Sequence, residues 1–506
     1  MATSEDRIPV VAATGQSIER HSTVWALDLA TRAAQDALEQ APALRARVGV
    51  VSMVNIMSGG GPSPAARLAR RLGLTPSVTQ VSTIGGNSPQ WLVSRAASAI
   101  AAGEADAVLI AGAESQRSKN RSRSQAPGAP GAGSASATDE DHDEELGPDP
   151  LVGDDRPGIG AAELGAGLVA PVHVYALFES VIARRLGRSF AEHRTALGEL
   201  MAPFTEVAAK HPFAWFAQAR SPSELSEITA DNRLVSEPYP KRMCAVLGVD
   251  QGAAVVVTSL AAARAAGVAD RAVFCWSGAD ACDVWYPTAR PDPGRSPGIR
   301  AATRAALEVS GLGIDDVGAL DLYSCFPCAV EMATEALGLD RSDGRPLTVT
   351  GGLPYFGGPG NDYTLHAIAT MTGLLRERGG TGLVTGLGWF VTKHSAGVYG
   401  SSPAAGGWRV GDTAAAQREI DATAVEVADA ADVAGGAKRQ AEVVAATVTH
   451  GRDGEVTAAP VIARLDDGRQ VALAVAEGEL AALAGRNLVG EKVVFSGSAP
   501  RYRVLV

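Results

Sequence analysis

Apolar residues recur with helical spacing across residues 23–40, where Ala26, Leu27, Leu29, Ala30 and Ala33 share one face. A short, nearly unbroken apolar run follows at 48–54, of the kind that forms a strand covered on both faces. A Gly/Pro loop at 58–62 and a helical stretch at 65–72 come next. After a loop at 83–87, Ser88-Pro89 supplies a cap and a first-turn proline for a helix reaching about Ala102. A second buried-strand run occupies 107–112. Helices alternating with apolar β-runs predict an α/β protein with a covered sheet.

The pattern returns later in the chain. Ala30-Thr31-Arg32-Ala33-Ala34 reappears as Ala302-Thr303-Arg304-Ala305-Ala306, Val48-Gly49-Val50 as Val317-Gly318-Ala319, and the strand at 107–112 as that at 382–388. The offsets are 272, 269 and 275 residues, and three ordered matches at one spacing predict a duplicated body. Between the copies, 115–124 mixes arginine, lysine and serine, 128–138 is Gly/Ala/Ser/Pro-rich and 139–145 is almost wholly acidic. Such a stretch reads as solvated and mobile. Helical texture resumes at 171–210 and a strand at 250–260. After a Pro/Gly/Ser stretch at 401–407, short alternating segments at 442–450, 456–465, 469–476 and 491–495, with a hairpin turn at Asp466-Asp467-Gly468, predict a small all-β domain. The expected organisation is therefore a first half over 1–115 with 250–280 and an inserted region over 116–249, mobile at 117–150. A second half over 281–400, a linker at 401–415 and a β domain over 416–506 complete it.

Composition narrows the function classes. The 506 residues carry a net charge of -11, and the basic stretch at 117–123 has no interleaved aromatics, so no nucleic-acid partner is expected. Five cysteines in so long a chain make no disulfide framework. The start of the sequence lacks a signal-peptide pattern, and the longest uncharged apolar-rich run, 252–263, is too short to span a bilayer. A cytoplasmic protein with no membrane span is expected.

Four loops carry candidate chemistry, each at a strand end, where α/β sheets bind ligands. Val81-Ser82-Thr83-Ile84-Gly85-Gly86-Asn87-Ser88-Pro89-Gln90 is a glycine turn entering a helix, suited to an anion or an oxyanion, or simply a tight turn with a cap. In Asp321-Leu322-Tyr323-Ser324-Cys325-Phe326-Pro327-Cys328, Cys325 is either a reactive thiol or an inert buried one. A metal would need a second pair of ligands, and none is visible, so no metal is expected. Gly351 to Asp362 leads to His366, with Asn361 or Asp362 as the helix cap; His366 is either catalytic or structural. In Gly386-Leu387-Gly388-Trp389-Phe390-Val391-Thr392-Lys393-His394, His394 is either a general base or a core residue.

Together these loops resemble the thiolase superfamily, whose members are duplicated αβαβα proteins with an inserted loop domain. The 81–90 loop, followed by 99–106 and Gly112-Ala113-Glu114-Ser115, is similar to the thiolase nucleophile loop, helix and strand; Asn232-Arg233 through Asp250-Gln251-Gly252-Ala253-Ala254 looks like the end of the loop domain. The resemblance covers roughly residues 7–400. The departures fall at the chemistry. Gly85 stands where a thiolase has its acylated cysteine, Gly358-Pro359 where Gly-His-Pro supplies the activating histidine, and Gly386-Leu387-Gly388 where Cys-x-Gly supplies the acid/base cysteine. Tyr323-Ser324-Cys325-Phe326 replaces Asn-Glu-Ala-Phe and resembles the His-Asp-Cys-Phe motif of sterol-carrier-protein type thiolases, in which the cysteine is an acid/base.

The resemblance implies a ligand, CoA or an acyl-CoA thioester, with no covalently bound cofactor. Acyl transfer through residue 85 is excluded by the missing nucleophile. Type-1 thiolase-like proteins share such a degenerate centre and an added C-terminal domain, which matches the segment after 415 and implies an OB-like β domain and a monomer. The implied roles are Cys325 as thiol acid/base or displaced nucleophile, His366 and His394 as its activating partners, and Gly85, Gly86, Asn87, Ser324, Gly358, Asn361, Gly386 and Gly388 as the oxyanion or substrate loops. Thiolase-fold aldolases give an alternative, cleavage of a β-hydroxyacyl-CoA with Tyr323 or Tyr355 as base. A third possibility is a non-catalytic carrier or interaction protein.

Overall fold

The computed structural model describes residues 5–125, 146–340, 343–435, 437–476, 478–497 and 501–505. The first half runs β1 (Pro9–Ile18), α1 (Ala26–Gln40), β2 (Val48–Met53), α2 (Pro64–Arg71), β3 (Val78–Ser82), α3 (Ser88–Ala102) and β4 (Ala107–Ser115). The inserted region contributes α4 (Gln116–Gln125), β5 (Leu151–Val152), α5 (Ala161–Ala166), α6 (Pro171–Arg185), α7 (Phe190–Lys210), α8 (Pro222–Ser226), β6 (Leu234–Ser236) and β7 (Tyr239–Pro240). The body resumes with β8 (Asp250–Ser259), α9 (Leu260–Ala265), β9 (Val273–Cys282), α10 (Pro297–Ser310), β10 (Ala319–Asp321), α11 (Pro327–Leu337), α12 (Tyr363–Arg378), β11 (Thr381–Gly388) and β12 (Lys393–Gly400).

Ten of these strands form one path, β10-β11-β12-β9-β1-β8-β4-β2-β3-β5. Read outward from the β1–β9 seam, the two sides repeat one another. β9 pairs antiparallel with β12, β12 antiparallel with β11, and β11 parallel with β10. On the other side β1 pairs antiparallel with β8, β8 antiparallel with β4, and β4 parallel with β2. The same polarity in the same order is the duplication in three dimensions. Only Val10–Phe274 and Val11–Val273 pair across the seam, so the halves are held mainly through α3 and α12, which touch each other and strands of both halves. Helices α1 and α10 bury alanine-rich faces on the outer sides, Ala30, Ala33, Ala34 and Ala37 on one and Ala302, Ala305 and Ala306 on the other. The result is the expected layering αβαβα. The alanines let helix and sheet approach closely, and their burial is a hydrophobic gain obtained with little side-chain entropy loss.

After β12 the chain differs from the expected linker. The strand β13 (Arg409–Val410) adds to β9, Trp408 is buried, and helix α13 (Ala414–Ala422) lies on the body, with Gln417 bonding the backbone of Cys282 at both N and O. Helix α14 (Ala430–Ala434) precedes a closed barrel of β14 (Arg439–Ala446), β17 (Val461–Arg464), β18 (Gln470–Val475), β20 (Arg501–Val504) and β19 (Lys492–Phe495), ordered as named. This separate five-stranded barrel has an OB-like form. The pair β15 (Thr449–His450) and β16 (Val456–Ala458) leaves the barrel to join β6 and β7 in a four-stranded sheet. No helix among the described residues is long and apolar enough to cross a membrane.

The expected mobile segment at 117–150 needs correction at its start. Residues 116–125 form α4, fixed because the buried Asp250 carboxylate accepts from the Ser118 hydroxyl at 2.6 Å and from Arg117 Nη1 at 3.1 Å. At its other end Asp149 accepts from Ala65 N at 2.7 Å, at the start of α2. Residues 126–145, with the Gly/Ala-rich and acidic stretches, lie outside the described residues.

Candidate active site

The loop between β3 and α3 is pinned from the second half. Gly85 N–H donates to Asn361 Oδ1 at 2.9 Å, Asn361 Nδ2 donates to Asn55 O at 2.9 Å, and Thr364 Oγ1 donates to Gly86 O at 2.6 Å. The Gly85 amide, expected as an oxyanion donor, is thus already engaged. Gly85 has φ +153°, a conformation that side-chain-bearing residues rarely adopt. A Cβ there would also collide with Asn87 Oδ1 and lie 2.9 Å from Lys393 Cε and 3.2 Å from Lys393 Nζ. A Cβ on Gly86 would collide with the Tyr323 hydroxyl, and one on Gly388 would lie 2.5 Å from Asn87 Oδ1 and 3.2 Å from Lys393 Cε. Gly386 faces the same loop, its Cβ position lying 2.7 Å from the Asn87 Cα. Asn87 donates to Ser395 Oγ at 3.2 Å, while its buried Oδ1 has no hydrogen-bond partner.

Lys393, at the first position of β12, therefore fills the space beside residue 85. It is buried, and its Nζ donates to Ile84 O at 2.5 Å and to Asp154 O at 3.3 Å. Burial lowers its pKa, opposed by the nearby Asp154 and Cys282. In the sequence, His394 stands out at this strand end and Lys393 does not. An isolated lysine at a strand end carried no motif, and it meets the Gly85 loop only through folding. An open cavity of about 200 Å³ adjoins it, lined by Asn87, Ser88, Trp91, Asp280, Cys282 and His394 among others. Asp280 has a buried, unpartnered Oδ1, and burial raises its pKa to about 6.

The other expected residues have separate partners. Cys325 is buried, and burial pushes its thiol up to about 12, partly offset by the Tyr175 hydroxyl beside it. No hydrogen bond or ion pair joins it to His366 or His394. His366 Nδ1 pairs with Gln16 Oε1 at 2.8 Å; its Nε2 is 3.7 Å from Asp362 Oδ2, too far for a hydrogen bond. Burial lowers the His366 pKa to about 3, so the imidazole is neutral at pH 7 and forms no ion pair, and burial also raises the pKa of Asp362 well above its usual value. His394 Nε2 lies 2.9 Å from Asp283 Oδ2, and Asp283 also accepts from Ser296 Oγ and Gly298 N. This network secures the start of α10. Tyr323, His394 and Gly386 do meet, around a void of about 10 Å³ with space for one water at most. Burial raises both the Tyr323 and Tyr355 phenols, and Tyr355 Oη is buried without a partner, as is Ser324 Oγ. Gly358 N donates to Val246 O at 2.9 Å, in the inserted region.

Among the described residues, Glu179, His193 and Glu331 could group around a metal ion. Here His193 Nε2 is 2.6 Å from Glu179 Oε1, and Arg188 Nη1 lies 3.5 Å from His193 Nδ1.

A doubled αβαβα body, a helix N-terminus aimed at a cavity between the halves and a glycine at the nucleophile's place define a thiolase fold with an altered centre. The thiolase N-terminal domain family matches residues 8–145. A monomeric SCP2-thiolase-like protein type 1 from Mycobacterium smegmatis superimposes with a TM-score of 0.81 at 32% identity, covering 99% of this chain and 100% of that one. The chain belongs to the thiolase superfamily, and its likeness there is to the SCP2-thiolase-like proteins of type 1. The Ltp2-ChsH2(DUF35) aldolase shares the fold, with a TM-score of 0.58 at 21% identity over 78% of this chain and 98% of that one. A search of curated proteins found no match.

Proposed function

We propose that the protein binds a coenzyme A thioester in the cavity at the start of α3 and acts in the acyl-transfer class without a cysteine nucleophile. The observation that carries this reading is the occupancy beside Gly85: Lys393 and Asn87 fill the space a cysteine side chain would need, while the cavity next to them stays open. The positive end of the 15-residue helix α3 favours a polarised thioester oxygen there. Cys325, as a neutral buried thiol, does not take over the lost role. Titration calorimetry with CoA and acetyl-CoA tests the reading. Saturable binding of one molecule per chain is expected, and the absence of heat with either compound would refute it.

A retro-aldol reading draws on one observation, the Tyr323 hydroxyl set against Gly86 at the centre. The raised phenol pKa weighs against it, because a phenolate base is harder to form there. Ketone or aldehyde release from a β-hydroxyacyl-CoA, abolished by Tyr323→Phe, would favour it over acyl transfer. The chain acts as a monomer in this account, as the M. smegmatis homologue is described to be.

A further inference from the structure

Lys393 is the only buried one of the six lysines, all of them described; Lys119 is partly exposed, and Lys210, Lys241, Lys438 and Lys492 are exposed. Its amine is held by two backbone carbonyls, Ile84 O and Asp154 O, which match the two N–H bonds of a neutral amine and leave its lone pair for an electrophile. It opens on the 200 Å³ cavity together with Ser88, the first residue of α3, and with Asp280, whose buried Oδ1 has no partner.

We infer that Lys393 is the acyl acceptor of this site, its side-chain amine attacking the carbonyl carbon of a bound CoA thioester to give an Nε-acyl-lysine. This inference rests on the CoA-thioester reading above. The Lys393 nitrogen forms a bond to the thioester carbonyl carbon, the carbon–sulfur bond breaks, and CoA departs as the thiol. The proton lost by nitrogen passes to the Asp280 carboxylate and from there to the departing sulfur; no oxidant or reductant is involved. Burial lowers the lysine pKa and so favours the uncharged amine, and Asp280, raised to about 6, is a carboxylate at neutral pH. The oxyanion that develops on the carbonyl faces the α3 N-terminus. An amide, unlike an acyl-cysteine, resists hydrolysis and thiolysis. The transfer is therefore a single stoichiometric event that neutralises the only buried lysine and records exposure to acyl-CoA.

The test incubates the full chain with acetyl-CoA, digests it and maps acetylation over all six lysines, with CoA binding measured calorimetrically on the same preparation. Acetylation of Lys393 well ahead of the five others, reaching one group per chain and lost in Lys393→Arg, is expected. Binding of CoA with Lys393 unmodified, or with acetyl groups spread over the exposed lysines, would overturn the inference while leaving the binding reading in place. Failure to bind CoA would remove both. The mapping of the unaltered chain decides the matter even if the variant folds poorly.

Discussion

A cysteine put back at position 85 would stand at φ +153° with its Cβ 2.9 Å from Lys393 Cε. Gly85→Cys is expected to cost about 1–3 kcal/mol in backbone strain and to give no thiolase activity. Chemical denaturation and a thiolysis assay check both, and an active, undestabilised variant would show that Lys393 yields its place. His366 makes a second residue-level prediction. Its native pKa near 3 lies below the unfolded value of about 6.5, so the unfolded state binds the extra proton between these limits. Stability is complete above pH 6.5 and is lost as pH falls toward 3, by about 1.4 kcal/mol per pH unit from this group. Asp280 and Asp321, both raised to about 6, act in the opposite sense between pH 6 and 4. Denaturant unfolding at pH 6 and pH 5 should show a His366→Gln variant losing less stability over that interval than the parent; equal losses would contradict the assignment. At this scale the sequence showed which glycines replace the expected catalytic groups, since those stand in local motifs. It did not show Lys393, whose contact with Ile84 spans 309 residues.

At the scale of elements, the alternation of apolar runs located α1, β2, α3 and β4, and the repeat located α10, β10 and β11. Helix α4 was missed because its sequence, Gln116–Gln125, has no apolar face; it is ordered by Asp250, far along the chain. Helix α13 and strand β20 were missed for similar reasons, one fixed to Cys282 by Gln417 and the other completed only by pairing with β18 and β19. The barrel docks on the body through buried Ala445 and Ile462, which join the same apolar core as Phe178 and Ile182 of α6, and through polar contacts. The fully buried Ser180 accepts from Ala446 N at 3.1 Å and donates to Leu177 O at 2.7 Å. Ser180→Ala leaves the Ala446 amide unpaired and is expected to cost about 1–3 kcal/mol. A melting temperature unchanged from the parent would show that the barrel finds another partner there.

For the molecule as a whole, the barrel is tied to the inserted region by more than Ser180. Ser236 and Thr447 hydroxyls meet at 2.6 Å, Glu237 N donates to Val448 O at 2.8 Å, and His450 pairs with Glu237 at 3.2 Å. At one end of the large sheet, β5 pairs with β3 at Val81 and Ser82 and covers part of an edge that a second copy could otherwise extend. Sedimentation equilibrium is expected to give a mass near 51.8 kDa, and a value near twice that would contradict the monomer. The two-half architecture was legible from the sequence because it repeats. The barrel's docking was not, because its strands signal only their own period.

The central claim is that a thiolase body with Lys393 in the place beside Gly85 binds CoA thioesters at that point. A crystal structure of the protein with CoA bound tests it most directly. The account predicts the pantetheine thiol in the cavity between Lys393 and the start of α3, within bonding reach of the lysine amine. CoA seated elsewhere on the chain, with that cavity holding only water, would contradict it.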